Sequence, residues 1–153
     1  MAPNANIQIL QKLEIFSKFT EEQLRLLAFG CQKLNFPANA ELYHNNQISD
    51  GAYVILSGSV ELTLNTVSGH HKTETFDAGS VLGELSMITR NRRVGTAVAK
   101  EDVEVLNISR GTLYRVIEEF PELAAVLYDY IAESVVKMGH ELDPIITKLP
   151  SSA

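Results

Sequence analysis

The sequence predicts a mainly β domain with flanking helices: a double-stranded β-helix (jelly-roll) barrel with N-terminal helices and a C-terminal helix pair. Three observations carry this reading. Between Gln32 and Ile108 the chain divides into strand-length apolar or alternating runs, each closed by Gly, Pro, Asn or Asp. Before residue 31 and after residue 110 the apolar residues recur at helical spacing instead. No apolar stretch approaches the roughly 20 residues needed to cross a bilayer. The expected organisation is one domain over 1–153, with helices in 1–30, the β-barrel in 31–109, C-terminal helices in 110–142 and a frayed tail in 143–153.

Taken in order, Ile7 to Ile15 suggests a first helix or turn, and Thr20-Glu21-Glu22-Gln23 resembles a capping box with Thr20 as N-cap. Leu24, Leu27 and Ala28 give that helix one apolar face, and Gly30 is its expected stop. Strands follow at Leu34 to Phe36, Glu41 to His44 and Ala52 to Leu56. In the next run Val60, Leu62 and Leu64 alternate with Glu61, Thr63 and Asn65, the pattern of a half-buried strand. Ser68-Gly69 marks a hairpin turn, Lys72 to Phe76 the return strand, and Asp77 to Ser80 another turn. Thr96 to Ala99 and Val103 to Ile108 complete the set. Thr112 to Glu119 reads as a short helix ended at Phe120-Pro121, with Pro121 suited to the first turn of the next helix. From there to Leu142 the residues Leu123, Leu127, Ile131, Val135, Met138 and Leu142 recur at helical spacing.

Composition narrows the function. The 153 residues carry a formal charge of −6, which argues against a nucleic-acid partner, since that needs a dense basic face. Met1 to Gln8 carries no basic run followed by an apolar core, so a signal peptide is not expected. The single cysteine, Cys31, forms no intramolecular disulfide and is expected to be a small core residue rather than a reactive thiol. The expectation is a cytoplasmic protein without a membrane partner.

One stretch interrupts the strand pattern: Val81 through Met87, then Ile88 to Arg92, then Arg93-Val94-Gly95-Thr96. Gly83 permits close approach of backbone to a ligand. Glu84 to Met87 can form one helical turn whose free N–H groups favour an anion. Arg93 offers a planar fork of donors suited to phosphate oxygens. Glu84 would repel a phosphate but can accept a hydrogen bond from a ribose hydroxyl. An acid for a sugar and a base for a phosphate, nine positions apart, describe a nucleotide whose two groups lie close together. The bland alternative is a salt bridge between Glu84 and Arg93. Arg90 and Arg92 are expected to be solvated loop residues rather than ligand contacts.

Gly83-Glu84-Leu85-Ser86-Met87, followed by Arg93-Val94-Gly95-Thr96, resembles the phosphate-binding cassette of the cyclic nucleotide-binding domain family, which includes the catabolite activator protein and the regulatory subunits of protein kinase A. The resemblance extends over Gly51 to Leu62, Phe76 with Ala78-Gly79-Ser80, and Ile108-Ser109 through Pro121 into the last helix. It implies that Glu84 holds the ribose 2′-hydroxyl and Arg93 the cyclic phosphate, with backbone amides near Leu85 and Ser86 completing the cradle and Leu82, Gly83, Val94 and Gly95 beside the ligand. The chain departs from the family in three places: Leu82 stands where many members have phenylalanine, Arg92 where several have proline, and Gly95 where alanine is commoner. The last change is expected to loosen the following strand. A threonine directly after the cassette arginine favours guanine in this family, so Val94 points to cAMP over cGMP. Aligned from Pro121, Met138 and Gly139 fall where the catabolite activator protein has hydroxyl residues that bind adenine; Tyr128, Tyr130 and Ser134 are the other candidates for a base contact.

No Ser/His/Asp set, phosphate-binding P-loop or second carboxylate suited to acid/base work is evident, so neither an enzyme nor catalytic residues are expected. His70 and His71 are adjacent and would point to opposite faces of a strand, while His44 and His140 stand apart, so no metal site is expected. The expected function is a cyclic nucleotide sensor that signals through its C-terminal helix to an unidentified protein effector or to a second copy in a homodimer. The alternative is a degenerate domain of the same fold that serves as an interaction scaffold without nucleotide.

Overall fold

The computed structural model describes residues 3–65 and 69–141, with side-chain environments over 6–64 and 69–134. Helix α1 (Pro3–Gln11) buries Ile7 and Leu10, and a 3-10 turn at Glu14–Phe16 buries Ile15 and Phe16. Thr20 caps α2 (Glu21–Phe29) reciprocally: the Gln23 amide donates to Thr20 Oγ1 at 3.2 Å, and the Thr20 amide donates to Gln23 Oε1 at 2.8 Å. Gly30 ends α2 in a right-handed conformation, and the glycine serves packing there. A Cβ at that position would lie 2.6 Å from Thr112 Cγ2.

Among the described residues eight antiparallel strands follow: β1 (Gln32–Phe36), β2 (Glu41–Tyr43), β3 (Gly51–Ser57), β4 (Val60–Asn65), β5 (His71–Phe76), β6 (Val81–Leu82), β7 (Thr96–Ala99) and β8 (Val103–Ser109). They form two four-stranded sheets, ordered β1-β8-β3-β6 and β2-β7-β4-β5. One core lies between the sheets and is built from alternating residues such as Val60, Leu62 and Leu64 of β4 and Val103 and Val105 of β8. A second core joins the outer face of the first sheet to the helices, with Ala52 and Val54 of β3 and Leu106 and Ile108 of β8 packed on Leu24, Leu27 and Leu113. Strand β3 therefore sends residues into both cores, which is why Ala52 to Leu56 is continuously apolar where β4 alternates.

The strands stand where periodicity placed them, apart from β6, which is two residues long and pairs Leu82 with Tyr53 of β3; the hairpin turn expected at Ser68-Gly69 falls partly outside the described residues. Ser109 caps α3 (Arg110–Glu119) through a bond from the Thr112 amide. Pro121 was expected inside the first turn of the last helix. It sits instead in a separate turn, closed by the Leu123 amide on Phe120 O, and α4 runs Leu123–Glu141. Leu123 and Leu127 anchor α4; from Tyr128 to Ser134 no described side chain of the helix is fully buried. Ser68, Leu142 and the tail at 143–153 lie outside the described residues, as do the side-chain environments of Val135, Met138, Gly139 and His140 in α4. No described helix is long and apolar enough to cross a membrane.

Candidate functional site

Strand β6 delivers the chain to Gly83, whose φ of 75° is left-handed; a Cβ there would fall 2.3 Å from Arg93 Nη1. Glycine is thus required twice, for backbone conformation and for the approach of the guanidinium. A single 3-10 turn follows at Glu84–Met87, as the sequence suggested, with Met87 fully buried among the helices as its anchor. The Ser86 amide donates to Gly83 O at 2.9 Å inside this turn. That amide was expected to be open to a ligand, and the tight i→i+3 winding commits it instead.

The returning loop is stitched to the segment between β2 and β3. The Arg93 amide donates to Gln47 O at 2.7 Å, and the Asn46 amide donates to Arg93 O at 2.8 Å. Asn91 Oδ1 accepts from both Ser49 Oγ and Ser86 Oγ. Gly95 has a φ of 94°, and a Cβ there would lie 2.7 Å from Thr63 O in β4. The expected loosening at Gly95 is therefore corrected: the left-handed backbone and the contact with β4 demand a glycine. Its amide is held by Asn45 Oδ1 at 2.8 Å.

Arg93 is 5% exposed. Its Nη2 donates to Gly51 O at 2.7 Å and its Nη1 to Ser86 Oγ at 3.2 Å, while the guanidinium carbon lies 4.4 Å from the Tyr43 ring centroid. Nε has no hydrogen-bond partner among the described residues. The nearest acid is Asp50, at 3.9 Å from Nη2, and the Asp50 side chain is 81% exposed. Such a pair contributes only ~0–1 kcal/mol, whereas desolvating a cation costs several kcal/mol (order of magnitude). Burial pulls the Arg93 pKa down; the neighbouring Tyr43, Tyr53 and Asp50 push it back up, and Arg110 opposes them. The result is a buried cation with an incompletely satisfied donor fork, an arrangement that attracts an anion.

Glu84 does not pair with Arg93. Its Oε2 accepts a hydrogen bond from Tyr130 Oη of α4 at 2.9 Å. Burial raises the Glu84 pKa, the Tyr130 bond lowers it, and Glu14 raises it again. Both charged side chains nonetheless line one cavity of about 280 Å³, close to the lower end of small-ligand sites. Leu82, Gly83, Leu85, Ser86 and Val94 line it as well, so seven of the eight residues expected from the sequence converge there; Gly95 packs against β4 outside the lining. Ser134 reaches the cavity from α4, whereas Tyr128 is 74% exposed and Arg90 faces solvent.

Sequence reasoning missed three contributors. Tyr43 backs the guanidinium and Leu62 adds apolar wall, both from strands whose inward residues look like ordinary core. Arg110 ties the loop after Gly83 to the segment between β2 and β3, donating to Ser86 O at 2.8 Å, Ser49 O at 3.1 Å and Thr89 O at 3.3 Å. A basic residue in the first turn of a helix opposes the helix dipole, and that mismatch was the available signal. Cys31 is half-buried, its Sγ donates to Leu27 O at 3.2 Å, and burial pushes its pKa to about 12, as befits a core thiol.

Comparison with known proteins gives this geometry a context. The family model described as "Cyclic nucleotide-binding domain" matches residues 33–120, more than half of the chain. The structure of a cyclic nucleotide-binding-like protein from Brucella abortus superposes with a TM-score of 0.66 at 38% identity, covering 74% of this chain and 98% of that one. The cyclic AMP receptor protein of Thermus thermophilus is 25% identical over 84% of this chain and 60% of its own length. A CRP-like cAMP-activated global transcriptional regulator of Mycobacterium tuberculosis is 25% identical over 94% of this chain. The chain spans 60% and 65% of the length of these two curated relatives. By its sequence and its two-sheet fold, the chain belongs to the cyclic nucleotide-binding domain family.

Proposed function

We propose that the cavity takes a 3′,5′-cyclic nucleotide, with the cyclic phosphate on Arg93 and the ribose 2′-hydroxyl on Glu84. One observation carries this reading: two opposite charges share a cavity without pairing with each other, and Arg93 keeps a buried donor unpartnered. The phosphate would be met by Arg93 and the Leu85 amide, the Ser86 hydroxyl being committed to Asn91 Oδ1. Leu82 and Gly83 supply the cavity floor, Val94 its apolar side, and Gly95 the backbone path that places Arg93. The base is adenine rather than guanine on this reading, because Val94 brings no hydroxyl to the cavity, and because the Thermus and Mycobacterium relatives carry cAMP in their names. Ser134, which lines the cavity from α4, would meet the base.

The whole chain then acts as one cytoplasmic regulatory domain rather than an enzyme, and α4 carries the response to a protein effector or to a second copy. Calorimetric titration with cAMP and with cGMP tests the reading. Binding of cAMP with a weaker response to cGMP is expected. At ligand concentrations about 100 times Kd, binding should add about 2.7 kcal/mol of stability. No heat and no thermal stabilisation at millimolar concentrations of either nucleotide would overturn it in favour of a nucleotide-free scaffold.

A further inference from the structure

The cavity does not account for Tyr130. This residue lies on α4, beyond the last fully buried anchor Leu127, and its hydroxyl crosses 46 positions of sequence to reach Glu84 Oε2 at 2.9 Å. Tyr130 does not line the cavity. It lies in the adjoining groove with Glu14, Asp129 and Glu133, so its bond reaches the carboxylate from outside the cavity that Glu84 lines. One turn further along α4, Ser134 reaches the cavity wall. We propose that Tyr130 is a positioning residue: it holds the Glu84 carboxylate in the orientation that accepts the ribose 2′-hydroxyl, and thereby makes recognition of the ribose depend on the docking of α4.

A carboxylate has two oxygens and about four acceptor sites, so a donor on Oε2 leaves Glu84 able to accept a second hydroxyl. Donation from Tyr130 also favours the ionised form, which burial and Glu14 disfavour, and only the ionised carboxylate is acceptor-only. Finally, from Tyr128 to Ser134 no side chain of α4 is fully buried and Tyr130 packs only partly against the helical core, so this bond adds to the attachment of that stretch of the helix. By linkage, whatever the docked helix contributes to binding at Glu84, a ligand at Glu84 returns to the docking of the helix.

The inference rests on the proposed nucleotide reading, and the test keeps the two apart. Kd is measured calorimetrically for cAMP and for 2′-deoxy-cAMP on the wild-type chain and on Tyr130→Phe. The wild-type chain should prefer cAMP. Tyr130→Phe should weaken cAMP binding roughly three- to ten-fold and leave 2′-deoxy-cAMP within about twofold, so the preference for the ribose shrinks. The ratio is taken on one protein sample, so any loss of folded fraction cancels. A variant that keeps the wild-type ratio, or weakens both ligands equally, overturns the role of Tyr130 and leaves the nucleotide reading standing. A wild-type chain that binds neither ligand overturns both. One that binds the two equally removes Glu84 from the ribose, and with it the role of Tyr130.

Discussion

Replacing Arg93 with methionine is the sharpest test of the site, because structure and function should respond differently. Methionine nearly fills the same space without charge or donors. In the free protein the change removes a buried cation, and it forfeits the bonds to Gly51 O and Ser86 Oγ and the face of Tyr43. Relief of a desolvated charge and loss of its hydrogen bonds oppose each other, so stability should move by no more than about 1–2 kcal/mol. Binding has no such offset. A phosphate would engage the unpartnered Nε and take over Nη1, whose bond to Ser86 Oγ is long at 3.2 Å, while Nη2 keeps Gly51 O at 2.7 Å. The net gain is one new charge-assisted bond, about 1.5–3 kcal/mol, or roughly ten- to hundred-fold in Kd. Calorimetry with cAMP at fixed ionic strength, alongside urea unfolding of both proteins, reads the two quantities separately. A Kd within about twofold of wild type would mean that the phosphate is held elsewhere. A collapse in stability alongside lost binding would mark Arg93 as a structural residue and refute the reasoning.

Three further outcomes are expected. Gly95→Ala must place a Cβ against Thr63 O at a left-handed φ, so it should cost at least about 2 kcal/mol and lower Tm by several degrees; an unchanged Tm would restore the flexible-strand reading. Because burial raises the Glu84 pKa, folding favours its protonated form; its contribution is present below the unfolded-state pKa and is lost as pH rises through the folded one. Unfolding free energies of wild type and Glu84→Gln, compared across that interval, should diverge with rising pH as the wild type alone loses stability, and parallel curves would contradict the shift. Cys31, with its thiol pushed up to about 12, should resist a disulfide-exchange reagent at pH 8 in the native protein and react once unfolded. Stoichiometric labelling of the folded chain would count against a core thiol.

Local signals made much of this molecule legible in advance. The capping box at Thr20 and Gln23, the alternation of Val60, Leu62 and Leu64, and the spacing of Glu84 and Arg93 are each a property of a few neighbouring residues. Periodicity and caps act over one or two turns of chain, so a linear reading captures them. Even the 3-10 turn after Gly83 was foreseeable from the break it makes in the strand pattern.

What escaped that reading depends on residues far apart in the chain. Whether Glu84 and Arg93 neutralise each other depends on which groups the fold brings to each: Tyr130 from α4 to the carboxylate, Gly51 and Tyr43 from β3 and β2 to the guanidinium. The reason Gly95 is a glycine lies in β4, and the work of Arg110 lies in carbonyls 21 to 61 positions away. Burial, desolvation and hydrogen-bond partnership are set by such distant neighbours, and no local pattern encodes them. Residue types and their spacing thus singled out Glu84 and Arg93 together, while packing settled that the two charges do not pair and that both line one cavity.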